Sequence, residues 1–430
     1  MSWDGRRLHF IAIGGAGMSG LALVAQALGA QVTGSDRSDS AYLEPLREEG
    51  IVPVIGHAAD NIPAGDDVEV VVSTAIAADN PERAAAAARG LRELHRSELL
   101  AEVSAEKRTL AIAGTHGKTT TSSMAAHALL RMGEDPAYLI GGELRTTGRN
   151  AAWGAGEWLV VEADESDRSF LRLSPQLSVV TNIELDHHAT YGSKGEVEAA
   201  FGEFLARSGR VIVWDGPDAE AFLDRSGIGE AAFFRADDVV LTPGGSEFTW
   251  AEQRVRLSVP GAHNVANAAA ALTACVMMGL PRETLAGTLE DFRGAGRRFE
   301  VLGSTASGAT VVDDYAHHPT EVAATLAAAR TREPRRLVAV FQPHLYSRTQ
   351  QLAREFGAAL AAADFPGVSG LAIAEAAADV AGGRTVLWMP GFDDARPVLA
   401  GMLRDGDLCL VLGAGNVVEL GRSLVTDPPA

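Results

Sequence analysis

Short apolar runs alternate with longer helical patterns from the first residues of the chain. Leu8 to Ile13 reads as a strand, Met18 to Leu28 as a helix and Ala30 to Ser35 as a second strand. Val68 to Ser73 is another strand and Pro81 to Arg89 an alanine-rich helix. Alternation of this kind builds parallel sheets. It persists through the middle third, where Leu110–Ala113, Trp158–Glu162, Leu177–Thr181 and Arg210–Trp214 read as buried strands. Residues 231–259 break the pattern. Short strand-like runs around Pro243-Gly244-Gly245 predict a small antiparallel insert there. His263 to Met278 then reads as a helix opened by a glycine. Beyond Gly294–Gly296 the alternation restarts with strand Thr310–Asp314, helix Pro319–Arg330, strand Leu337–Phe341 and helix Thr349–Asp364. Strands at Val386–Met389 and Leu408–Leu412 complete a third α/β unit.

The length of 430 residues leaves room for about three domains at ~150 residues each. A net charge of −19, from 37 basic and 56 acidic residues, argues against a nucleic-acid binder. It does not exclude small anions, which local loops decide. Cys275 and Cys409 sit in apolar runs and are expected as buried free thiols. Phe10–Ile13 is too short for a signal peptide, and no apolar run is long enough to span a bilayer. The expectation is a cytoplasmic enzyme without membrane or nucleic-acid partners.

Six constellations carry chemistry. Gly114-Thr115-His116-Gly117-Lys118-Thr119-Thr120 follows a strand and precedes a helix. Glycines let backbone N–H groups approach phosphate oxygens, and the helix N-terminus adds a favourable dipole. Lys118 can reach the β/γ end of ATP, and Thr119 is placed to hold Mg²⁺. Only Thr115 and His116 separate the two glycines, so the loop is a variant of the common phosphate-binding loop. A glycine turn with an exposed lysine is the plainer alternative.

The second, Gly14-Gly15-Ala16-Gly17-Met18-Ser19-Gly20, fits G-x-G-x-x-G at Gly15, Gly17 and Gly20, with Asp36 after the second strand. NAD, FAD and a UDP-sugar all carry a pyrophosphate, so the loop does not choose among them, and a structural glycine turn stays open. Third, Glu162-Ala163-Asp164-Glu165-Ser166-Asp167 ends a strand, where a cation such as Mg²⁺ would offset the clustered charge. A solvated acidic loop is the alternative.

Thr181-Asn182-Ile183-Glu184-Leu185-Asp186-His187-His188 is the fourth, offering imidazole, amide and carboxylate ligands at another strand end. Asn264 and Asn267 share a helix face, as nucleotide contacts or as caps, and Arg297-Arg298 suggests a phosphate clamp. Sixth, Asp313-Asp314-Tyr315-Ala316-His317-His318 and Phe341-Gln342-Pro343-His344-Leu345-Tyr346-Ser347-Arg348 end neighbouring strands and suggest a pocket for a small polar substrate.

In order and spacing these segments resemble the Mur ligase family of cell-wall peptide synthesis, over nearly the whole chain. The resemblance implies three domains: a Rossmann-like UDP-sugar domain at 1–104, a central P-loop-type ATPase with a mostly parallel sheet at 105–295, and a Rossmann-like amino-acid domain at 296–430. It implies that Gly15, Gly17, Ser19, Gly20, Asp36 and Ser73 serve the UDP-sugar. Gly114 to Thr120, with Asn264, Asn267 and Arg298, would serve ATP, and Lys118, Glu162 and His187 catalysis. Thr119, Glu162 and His187 would hold the metal, and Tyr315, His317 and Arg348 would line the amino-acid pocket. The first glycine loop favours the alanine-adding branch. The implied reaction joins L-alanine to the lactyl carboxylate of UDP-N-acetylmuramate through an acyl phosphate, with ATP and Mg²⁺, in a monomer or homodimer.

Two departures stand out. Leu345 occupies a position where the family usually has arginine, and a leucine offers a carboxylate no hydrogen bond. The passage from Ala363-Asp364 straight to Phe365-Pro366-Gly367-Val368 omits about one strand, so the third sheet is expected to be one strand short. A degenerate ligase that binds UDP-sugar or ATP but adds alanine poorly is the second reading. A peptide-adding relative and an NAD-dependent oxidoreductase, suggested by the first loop alone, complete the alternatives.

Overall fold

The computed structural model describes residues 2–368 and 370–426. Its contacts divide the chain into two compact units. One comprises Met1–Ile183, Gly195–Phe234 and Ala270–Pro281, the other Glu184–Lys194, Arg235–Ala269 and Arg282–Ala430.

The first unit holds two sheets. Strands β1 (Arg7–Ile11), β2 (Gln31–Asp36), β3 (Val54–Ile55), β4 (Val68–Val72) and β5 (Glu93–His95) form a parallel sheet in the order β3-β2-β1-β4-β5. This is the doubly wound arrangement, in which ligands gather at the carboxyl ends of central strands. The core residues of β1, Leu8 and Phe10, are fully buried, and burying each contributes roughly 1.5–3 kcal/mol. The second sheet contains β6 (Arg108–Ala113), β7 (Ala137–Leu144), β8 (Arg149–Ala152), β9 (Trp158–Glu162), β10 (Leu177–Val180), β11 (Arg210–Trp214) and β12 (Ala232–Phe234). Its order is β12-β11-β10-β6-β9-β7-β8, parallel except for the β7–β8 pair. Strands β9 and β10 are apolar and buried, as expected for a sheet covered on both faces.

The second unit holds the antiparallel insert, β13 (Asp237–Thr242), β14 (Gly245–Trp250) and β15 (Gln253–Leu257). Its larger sheet contains β16 (Glu300–Ser304), β17 (Thr310–Asp314), β18 (Arg336–Phe341), β19 (Phe365–Val368), β20 (Leu387–Trp388) and β21 (Asp407–Leu412). The order is β16-β17-β21-β18-β19-β20, parallel except for β16. One face packs Phe341, Phe356 and Leu326 against its helices, the other Val338, Leu399 and Leu420.

Two expectations are corrected. The stretch Phe365–Val368, read as closing over a missing strand, is itself a strand paired in parallel with β18. The expected helix Thr349–Asp364 is two helices, Tyr346–Gln351 and Ala353–Leu360, broken at Leu352. Cys275 and Cys409 are buried free thiols, and burial pushes both up to about 12. Among the described residues no helix is long and apolar enough to cross a membrane.

Candidate functional site

The loop after β6 is held open by its neighbours. Gly114 has φ +132°, and a Cβ there would fall 2.0 Å from Thr181 Oγ1. Only glycine fits. Gly117, at φ 84°, precedes the helix Lys118–Arg131. Asn182 straps the loop: its Oδ1 accepts from His116 N at 3.0 Å, its Nδ2 donates to His116 O at 3.0 Å, and its carbonyl accepts from Thr115 N at 3.1 Å. The Asn182 amide, weighed from sequence as a metal ligand, is thus engaged in loop support.

Lys118 Nζ donates to Gly114 O at 2.6 Å and to Glu165 Oε1 and Oε2 at 2.9 and 2.8 Å. Burial opposes its charge, but Glu165 and Asp164 prevail and hold its pKa above the usual value. One turn of the helix carries Thr119, whose hydroxyl donates to Glu162 Oε2 at 3.2 Å. Glu162 Oε1 accepts from Gly141 N at 2.5 Å. Thr119 and Glu162 therefore present two oxygens 3.2 Å apart, close to the ~3.0 Å spacing of adjacent octahedral ligands around a cation with bonds of ~2.1 Å. This hard-oxygen set fits Mg²⁺.

The loop after β1 lies at the start of helix Ala16–Ala27. Asp36 Oδ2 accepts from Gly14 N at 2.8 Å, so this acid shapes the turn. Gly15 and Gly17 line the turn. Ser19 and Gly20 do not; they are packed under the β7–β8 hairpin. Ser19 is buried with its hydroxyl donating to Ala16 O at 3.1 Å, and Asn150 Nδ2 donates to the same carbonyl at 2.8 Å. A Cβ at Gly20 would stand 3.1 Å from Leu139 and 3.2 Å from Ala151. The third glycine of the motif is thus required by close packing. Ser73 closes β4 and its carbonyl accepts from Ile76 N.

In the second unit, Asp186 and Arg348 form a buried bidentate pair, with both bonds at 2.9 Å. Burial alone would raise the Asp186 pKa, but Arg348 holds it well below the carboxylate range. His187 follows with φ 51°, a left-handed conformation strained for a non-glycine residue. Tyr315 and His317 meet edge to face at 5.2 Å, and Arg298 lies over the Tyr315 ring at 5.1 Å. Burial pushes His317 and His263 down to about 4, against the pull of Glu321. Both are neutral at pH 7.

Asn264 and Asn267 share one face, as their spacing predicts. Asn264 Nδ2 donates to Pro260 O at 2.7 Å and Asn267 Nδ2 to Asn264 Oδ1 at 3.3 Å, so neither is a helix cap. Arg297, read with Arg298 as a phosphate clamp, is instead committed to Asp313 at 3.0 Å and to Gly413 O at 2.7 Å. Leu345 is half exposed at φ 69°. Sequence reasoning missed Asn150 and the Asn182 strap, because no local pattern marks a residue whose partners lie far along the chain.

The chain as a whole has relatives. The model described as "Mur ligase family, catalytic domain" matches residues 7–108, "Mur ligase middle domain" residues 112–275, and "Mur ligase, glutamate ligase domain" residues 297–415. The UDP-N-acetylmuramate–L-alanine ligase of Streptomyces avermitilis is 44% identical, over 97% of this chain and 97% of that protein. That of Carboxydothermus hydrogenoformans is 42% identical, over 97% and 96%. These alignments run over 459 and 450 positions, more than the 430 residues here, so both relatives carry segments this chain lacks. A solved UDP-N-acetylmuramate–alanine ligase from Thermotoga maritima superposes with a TM-score of 0.85 at 27% identity, covering 97% of this chain and 98% of that one. A murein peptide ligase from Psychrobacter arcticus gives 0.75 at 25% identity, covering 98% of each. The oxidoreductase reading of the first glycine loop falls with these matches. All three family models align in order along one three-domain α/β chain, which belongs to the Mur ligase family.

Proposed function

We infer that this chain is an ATP-dependent ligase that joins L-alanine to the lactyl carboxylate of UDP-N-acetylmuramate. The observation that carries this is near-full-length identity of 42–44% to ligases of that name. The division at 1–104, 105–295 and 296–430 is kept as part of the reading.

The chemistry follows from charge. The lactyl carboxylate attacks the γ-phosphorus of ATP, ADP leaves, and an acyl phosphate forms. The alanine amine then adds to the acyl carbon and displaces inorganic phosphate. Two anions must meet in the first step, so positive charge is needed where negative charge develops. Lys118 supplies it by exchanging its bonds to Gly114 O and Glu165 for phosphate oxygens. Gly114 to Thr120 cradle the phosphates, and Thr119 and Glu162 would hold Mg²⁺, with His187 as the family's further ligand. Mg²⁺ would neutralise phosphate charge and polarise the γ-phosphoryl group.

Gly15 and Gly17 cradle the UDP pyrophosphate, on a turn shaped by Asp36. Asn264, Asn267 and Arg298 are assigned to the nucleotide, and Tyr315, His317 and Arg348 to alanine, where Arg348 would have to give up its pairing with Asp186 to take the alanine carboxylate. The neutral state of His317 at pH 7 suits contact with an uncharged amine. The acyl phosphate is water-sensitive, so the reaction belongs in a water-excluding site; a cytoplasmic location is kept as part of the reading.

Phosphate release from ATP and Mg²⁺ with UDP-N-acetylmuramate, with and without L-alanine, tests the reading. Release that needs both substrates supports it; release supported only by a peptide acceptor moves the chain to the peptide-adding branch. A second reading, a ligase with weakened alanine addition, rests on Leu345. Absence of release at any alanine concentration, with UDP-sugar still bound, would favour it.

A further inference from the structure

Arg96 opens the helix Arg96–Ser104 at the carboxyl end of β5, and no role has been given to it so far. His95 caps this helix in a reciprocal box with Glu98, which fixes where the next side chain leaves the backbone. Arg96 is one-fifth exposed. Its Nη2 donates to Asp164 Oδ2 and to Asp167 Oδ2, both at 3.2 Å. Its Nη1 faces the other way: a Cβ built on Gly17 would stand 3.7 Å from it. One guanidinium thus spans the gap between the first glycine loop and the acidic loop that supplies Glu165 to Lys118.

We propose that Arg96 is a sugar-nucleotide-binding residue, whose Nη1 edge takes a phosphate oxygen of the nucleoside diphosphate seated on the Gly15–Gly17 turn. The proposal rests on the reading of that turn as the UDP-sugar site. Three physical points carry it. A helix N-terminus offers about half a unit of positive charge, too little for a diphosphate by itself. Arginine presents donors on more than one edge, so one edge can be anchored while another binds. The anchors are themselves fixed: Asp164 Oδ1 accepts from Ser166 N and Asp167 Oδ1 from Ser169 N, both at 3.0 Å. Arg96 is therefore pre-oriented towards the turn. It also places the sugar-nucleotide site and the loop holding Lys118 on a common support.

The test is titration of the full-length chain with UDP, followed by calorimetry, in the wild type and in R96A, R96K and D167N, with ATP titrated in parallel. R96A is expected to weaken UDP roughly 10- to 100-fold, the value of one charge-assisted hydrogen bond, and to leave ATP affinity within a few-fold. R96K is expected to recover part of the loss, since lysine meets phosphate as a point charge. D167N removes one of the two anchors of the guanidinium and is expected to weaken UDP binding by less than R96A does, because Asp164 still holds the same nitrogen. In turnover, R96A is expected to raise KM for UDP-N-acetylmuramate and leave KM for alanine unchanged. An R96A protein with wild-type UDP affinity would overturn the proposal. So would a D167N loss equal to that of R96A, which would show that the ion pair rather than the cation matters. A wild type that binds no UDP would instead remove the underlying reading of the glycine turn.

Discussion

Arg348 grips Asp186 through two parallel hydrogen bonds of 2.9 Å, although 162 positions separate them in sequence. Both side chains are almost wholly buried. A buried ion pair adds little net stability, but breaking one half leaves an uncompensated charge. D186N is therefore expected to destabilise the second unit by about 3–5 kcal/mol, whereas D186L combined with R348M should recover much of that. Denaturant midpoints of the three proteins check this. The pH sign follows from the depressed pKa. Stability from Asp186 is present above the ordinary carboxylate value near 3.9 and is lost as pH falls through the lower folded value.

Gly114→Ala probes the loop assigned to ATP. The new methyl would overlap Thr181 Oγ1 and take a backbone conformation that alanine disfavours. ATP binding is expected to fall at least about tenfold, from a strain of roughly 1–3 kcal/mol. UDP binding should be unaffected. Equal loss for both ligands would indicate general misfolding instead.

Glu162→Gln keeps the shape of the Thr119–Glu162 contact and removes its charge. The Mg²⁺ concentration for half-maximal phosphate release is expected to rise roughly tenfold or more, as one charge-assisted ligand is lost. An unchanged Mg²⁺ requirement would remove Glu162 from the metal set.

Leu345→Arg restores a guanidinium beside the segment that carries Arg348. If alanine binding is limited by a missing carboxylate partner, KM for alanine should fall roughly 10- to 100-fold, the worth of about 1.5–3 kcal/mol. A KM that stays the same would show that Leu345 does not weaken the pocket.

Asp314 gives a second pH signature, of opposite sign to that of Asp186. Burial raises it from 3.8 to about 6, despite Arg298 and two backbone donors. The folded chain thus favours the protonated acid. This contribution is full below about pH 3.8 and is lost as pH rises through about 6. Relative to D314N, the wild type should lose on the order of 3 kcal/mol between pH 4 and 7. Denaturant unfolding of both proteins across that range measures the difference in slope.

The local patterns were enough to find the glycine turn between β6 and its helix, the acidic strand end and most strands. Each depends on residues adjacent in the chain: an apolar run for β6, glycines where the backbone turns, a lysine at the start of a helix. The short strands at Val54–Ile55 and Phe365–Val368 escaped notice, because their pairing partners, rather than their own propensity, make them strands.

What sequence alone determined was which residue types stand at which strand ends, and hence the family and the ATP chemistry. What only tertiary structure decided was how those residues are engaged. Gly20 reads as part of a phosphate motif, yet packing against Leu139 and Ala151 is what demands it. Asn182 reads as a ligand and is a strap; Arg297 reads as a clamp and is held by Asp313. Arg96 reads as nothing and sits between two loops. The reason is physical: a hydrogen bond or ion pair is set by distance in space, and folding brings together groups that composition and spacing leave tens to more than a hundred residues apart.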